Sequence, residues 1–74
     1  MRTRWETRYS SSEMMYLEIV GNEVRCWLDH SPGSADRYSF DDVLAGACDN
    51  GEIPAVFGSD VVAELKAAIR EIPK

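Results

Sequence analysis

Alternation of apolar and polar positions dominates the first half of the chain. The run Met14-Met15-Tyr16-Leu17-Glu18-Ile19-Val20 is strand-like, Gly21-Asn22 follows, and Glu23-Val24-Arg25-Cys26-Trp27-Leu28-Asp29 alternates again. A two-residue Gly-Asn link between such runs predicts a hairpin with a type II′ turn, whose first central position takes positive φ. That turn sets Val20 opposite Glu23 and fixes the register outward from there. Met15 then faces Leu28, Leu17 faces Cys26 and Ile19 faces Val24, so one face is entirely apolar or thiol. The other face sets Glu18 against Arg25 and Tyr16 against Trp27, a charge pair and an aromatic pair. A slip of one residue would scramble both faces, so turn chemistry and side-chain pattern support one another.

The N-terminal segment alternates too. Arg2, Arg4, Glu6 and Arg8 fall on one side; Thr3, Trp5, Thr7 and Tyr9 fall on the other. This predicts an edge strand, where charged side chains discourage unwanted pairing. Ser10-Ser11-Ser12 is the loop after it. His30-Ser31-Pro32-Gly33-Ser34 is a turn cluster, and residues 35–40 read as a short strand with Tyr38 and Phe40 in phase.

The period then changes. Phe40, Val43, Leu44 and Ala47 follow helical spacing, with Ser39 or Asp41 as the cap, Gly46 as a weak point and Asn50-Gly51 as the stop. Residues 52–58 read as a linker with Ile53, Val56 and Phe57 tucked beneath it. Ser59 caps a second helix from Asp60 to about Glu71, with Val61, Val62, Leu65, Ala68, Ile69 and Ile72 on its apolar stripe and Pro73 closing it. Strands first and helices second predict a single α+β domain over residues 1–74, with an antiparallel sheet of three or four strands and two helices packed on one face.

Length and composition narrow the function. The chain has 74 residues and a net charge of -5, with 45% hydrophobic and 28% charged residues. These are globular values, but the chain is too short for a Rossmann or barrel enzyme. The acidic balance disfavours direct binding of nucleic acid. No signal peptide or membrane span is visible, so a cytoplasmic location and no membrane partner are expected. Cys26 and Cys48 form no spaced motif and are expected to be packed, reduced thiols.

Catalytic patterns are scarce. Asp29-His30-Ser31 holds triad letters in consecutive order, but a triad needs groups that converge in space. The aspartates lack the spacing of a calcium loop, and two Cys with one His are too few for zinc, so no metal or cofactor is expected. The expected protein is not an enzyme.

Two candidate partner-binding surfaces remain. The first is acidic: Asp36, Asp41, Asp42, Asp49, Glu52 and Asp60 stand against Arg37 alone within residues 36–60, whereas acids and bases balance in the rest of the chain. Such a patch suits a basic groove on a partner. The second is aromatic: Trp5, Met14, Tyr16, Arg25 and Trp27, grouped on the sheet face the helices leave open. These residue types are enriched at interfaces.

In element order the strand Met15–Val20, the Gly-Asn turn, the strand Val24–Leu28 and the helix opening at Phe40-Asp41 resemble a type I member of the small phage-encoded anti-CRISPR proteins. That resemblance covers about two-thirds of the chain as pattern and carries no functional residue across. It implies a stoichiometric inhibitor, acting in the host cytoplasm, that docks on a CRISPR effector complex. The alternative expectation is a bacterial accessory or regulatory domain that works as a homodimer through its open sheet face.

Overall fold

The computed structural model describes residues 2–73. Four strands, β1 (Arg4–Arg8), β2 (Met14–Val20), β3 (Glu23–Leu28) and β4 (Asp36–Ser39), form one antiparallel sheet in the order β1-β2-β3-β4. Three helices follow: α1 (Phe40–Leu44), α2 (Glu52–Phe57) and α3 (Ser59–Glu71). A single 3-10 turn at Pro32–Ser34 lies between β3 and β4. The architecture is α+β, as strands followed by helices predict.

The β2–β3 hairpin has the predicted register, pair for pair, from Val20↔Glu23 to Met15↔Leu28. Gly21 has φ of 63°, and among the described residues none other than glycine takes positive φ. One positive φ at the first central position is what a type II′ turn requires.

The core is one cluster. Trp5, Met15, Leu17, Val24 and Cys26 contribute from the sheet; Val43, Cys48, Ile53, Val62, Leu65, Ala68 and Ile69 contribute from the helical half. Both thiols are free and buried. Tyr38 and Phe40 pack against this cluster from one side of it, which keeps the β4–α1 junction on the sheet.

The helical half departs from the sequence expectation in three places. The first helix does not run on to Asn50-Gly51; it ends at Leu44, because Gly46 takes φ of 110° and the chain turns there. Leu44 and Ala47 consequently leave the apolar stripe and are exposed. Residues 52–57 are a helix and not a linker, so the sheet carries three helices instead of two. Pro54 is compatible with that helix because it sits in the first turn, where a backbone N–H has no helical partner to lose. Ser59 is the first residue of α3 and not its cap; Gly58 precedes it at φ of 96° with no side-chain cap. Ser39 does cap α1, its Oγ accepting from the Asp42 N–H at 3.1 Å.

One strand residue also moves. Trp5 was expected on the open sheet face, but it is 2% exposed and sits opposite Leu17 on the covered face. The three-serine loop sets this parity: Tyr9 N–H donates to the Glu13 carbonyl at 2.9 Å, and counting inward from that pair brings Trp5 to Leu17.

Candidate functional site

Residues directly opposite one another in a sheet share a face, so the open face resolves into rows that cross the strands. One row spans all four strands: Arg4, Glu18, Arg25, Arg37. The next is Glu6, Tyr16, Trp27, with Arg8 opposite Met14 beyond it. On the other flank lie Val20, Glu23 and Ser39. An antiparallel sheet packed on one side leaves such a face to solvent.

The aromatic pair is held in place from several directions. The Tyr16 and Trp27 rings are stacked, with centroids 5.5 Å apart and planes at 28°. The Arg4 guanidinium lies 5.0 Å from the Tyr16 centroid and 5.9 Å from that of Trp27, a cation–π geometry. Arg4 is itself drawn to Glu18 at 3.8 Å. Tyr16 Oη donates to Asp29 Oδ1 at 2.9 Å, and this bond pushes the phenol above its ordinary pKa by favouring its protonated form. Both rings are half-buried, so part of each is already desolvated before any partner arrives.

Beside this pair runs a groove of about 640 Å³, lined by Glu18, Val20, Arg25, Trp27, Gly33, Ala35 and Arg37. Arg25 donates from Nε and Nη2 to one oxygen of Glu23 at 3.1 and 2.9 Å. Arg37 has no ion pair among the described residues.

Of the five residues expected on the aromatic face, Met14, Tyr16, Arg25 and Trp27 are brought together and Trp5 is not. Arg4 and Arg37 belong to the face and were not singled out for it. The sequence pattern places Arg4 among the edge-strand charges, and the pairing of β1 with β2 is the signal that assigns it to this face.

The six acidic candidates are all exposed, yet they are spread over the molecule. Asp36 and Glu52 lie near one another beside Cys26, lining a cleft of about 270 Å³. Asp41 and Asp42 occupy the first turn of α1, beyond the far end of β4 and so at least roughly 10 Å along the strand from Asp36. Asp49 is ion-paired with Lys66, and Asp60 sits in the first turn of α3. Arg70 shares an apolar groove with Asp41, so cations are interleaved with these carboxylates.

Comparison with protein families, characterised proteins and solved structures finds no match to this chain. What the site does therefore rests on its own chemistry.

The other reactive groups are otherwise engaged. Asp29 accepts from Tyr16, whereas His30 Nε2 lies 3.3 Å from the Ser12 carbonyl oxygen, so the consecutive triad letters do not converge. Burial pushes the Cys26 thiol up to about 12, with the carboxylates of Asp36 and Glu52 adding to it; burial likewise raises Cys48. Thiols kept protonated in this way are poor nucleophiles. No group of three His, Cys, Asp or Glu among the described residues could hold a metal ion. No helix of the described residues is long and apolar enough to cross a membrane.

Proposed function

We propose that the protein is a stoichiometric inhibitor that docks its open sheet face on a protein partner. The observation that carries this is the Tyr16–Trp27 stack, half-buried and fixed by Arg4 and Asp29. Rings that are already immobile lose little freedom when a partner covers them. Tyr, Trp and Arg are also the residue types in which binding energy concentrates. The resemblance in element order supplies the partner class: a type I CRISPR effector complex in a bacterial cytoplasm, on which this phage-type inhibitor would sit and stop target binding.

The test is titration of the purified protein into a reconstituted type I effector while DNA binding by the effector is followed. Full inhibition at one chain per complex is expected. Trp27→Ala, checked for an intact fold by circular dichroism, is expected to weaken inhibition at least tenfold. An effector that binds DNA undisturbed overturns the partner class; an undiminished Trp27→Ala inhibitor overturns the face.

A second reading, a homodimeric regulatory domain joined through the same face, is favoured by the mixed signs in the row Arg4, Glu18, Arg25, Arg37. A twofold axis can set an arginine of one copy against a glutamate of the other. Solution mass at high concentration separates the two: a strict monomer removes the homodimer.

A further inference from the structure

We infer that the groove between β3, β4 and the turn at Gly33–Ala35 receives an acidic side chain of a protein partner, held between Arg25 and Arg37 against the edge of Trp27. The inference deepens the open-face docking proposed above and rests on it for the identity of the face.

The row of charges across the sheet is the first ground. From edge to edge it reads Arg4, Glu18, Arg25, Arg37. Signs alternate over three strands, and then two arginines stand directly opposite one another on β3 and β4. Like charges in that position destabilise a sheet. Glu23 relieves Arg25 through two hydrogen bonds to one carboxylate oxygen. Nothing among the described residues does the same for Arg37, which is exposed at the rim. Arg37 thus presents its guanidinium to solvent at the sheet edge, with its like-charged neighbour Arg25 beside it.

The shape of the place is the second ground. The groove holds about 640 Å³, enough for a side chain and its neighbours; Val20, Trp27 and Ala35 give it apolar walls beside the two guanidinium groups, and Glu18, the one carboxylate in its lining, is paired on its far side with Arg4 at 3.8 Å. A guanidinium presents a planar fork of donors matched to a carboxylate, so an aspartate or glutamate side chain can bond to Arg37 and to the free donors of Arg25 together.

The choice of a protein carboxylate over a nucleic-acid phosphate follows from charge and from the rings. The open face carries four arginines against Glu6, Glu18, Glu23 and the Asp29 carboxylate that accepts from Tyr16, on a chain whose total is -5. A face balanced overall, with two arginines adjacent at one edge, suits a single carboxylate on a folded surface; a polyanion would meet repulsion from the rest of the molecule. Base stacking also needs exposed ring face, and Tyr16 and Trp27, both half-buried, spend one face on each other with Arg4 against them.

The test uses the isotope-labelled full chain and follows the Arg Nε–H and Trp indole N–H signals by NMR. The probes are a short peptide alternating leucine with aspartate, the same peptide with asparagine for aspartate, and single-stranded oligothymidine. The acidic peptide is expected to shift the Arg25, Arg37 and Trp27 signals, with the asparagine peptide bound at least tenfold more weakly. Arg37→Gln is expected to weaken the acidic peptide about tenfold, while Arg70→Gln, on the helical side, leaves it unchanged. Three results overturn the inference: no shift at Arg37 with the acidic peptide, equal binding by the asparagine peptide, or tighter binding of oligothymidine on the same signals. A CRISPR effector that fails to bind the protein would remove the partner class proposed above and leave this outcome standing by itself.

Discussion

At the scale of single residues, the two most telling positions are both buried in the core. Trp5 is 2% exposed, and its indole Nε1 has no hydrogen-bond partner. A buried, unsatisfied donor costs on the order of 1–3 kcal/mol, so the ring stays because its apolar area outweighs that loss. Trp5→Ala is expected to cost about 3–5 kcal/mol in urea denaturation, most of what a small domain has. Trp5→Phe removes the orphaned donor but keeps most of the apolar ring and should cost clearly less; equal losses would show that apolar area is not what holds the ring in the core. Cys26 gives a second prediction. Its thiol is pushed from 9.0 up to about 12, first by burial and then by Asp36 and Glu52. Between those values the folded state holds a proton that the unfolded state has released, so stability must fall as pH rises. The contribution is fully present below pH 9 and lost progressively toward 12. Cys26→Ala is expected to flatten this alkaline loss in pH-dependent melting; Cys48 and Tyr38, raised by burial, and Tyr16, raised by its bond to Asp29, contribute to the part that remains.

At the scale of elements, backbone conformation decides where the helical half bends. Gly46 has φ of 110°, and a Cβ built there would stand 3.3 Å from Asp49 Oδ2. Gly58 has φ of 96° and ψ of 156°, a region that side-chain-bearing residues avoid, although nothing crowds it within 4 Å. Gly58→Ala is therefore expected to cost about 1–3 kcal/mol through backbone strain alone, read as a lowered midpoint in denaturant. Gly33→Ala, at neither positive φ nor close contact, is the comparison and should be near neutral. The same glycines explain what was legible in the sequence. The hairpin was fully readable because the period of two and the Gly21-Asn22 turn constrain register independently. The end of α1 was not, because Gly46 within a helical spacing looks like a tolerated weak point until its φ is known. Helix α2 was hidden by Pro54, which punctuates a sequence equally well as a linker residue or as a first-turn residue. The candidate face was half legible. Met14, Tyr16, Arg25 and Trp27 follow from one hairpin, whereas Arg4, Arg37 and the exclusion of Trp5 need the pairing of β1 and β4 to that hairpin.

At the scale of the whole molecule, the location of charge discriminates between the two surfaces. The carboxylates of residues 36–60 account for the net charge of -5, but the fold sends them to separate helix starts, a turn and a sheet edge. Charges dispersed over more than a Debye length, about 8 Å at physiological salt, are screened from acting as one patch. Asp41 already has a structural task, since acidic groups in the first turn complement the helix dipole. The combined variant Asp36→Asn, Asp41→Asn and Asp60→Asn removes three exposed carboxylates from different elements and moves the formal charge from -5 to -2. If the open face does the docking, affinity for the partner should change by less than about threefold, an effect confined to long-range attraction. Melting should fall by a few degrees, about what the loss of one or two first-turn charges of roughly 0.3–1 kcal/mol each produces in a domain this small. Trp27→Ala in the same assay should reverse the pattern, with a large loss of binding from a site on the opposite layer. Should the asparagine variant lose binding as strongly as Trp27→Ala, the carboxylates must act together despite their spacing, and the partner's contact would have to extend round from the sheet to the helices.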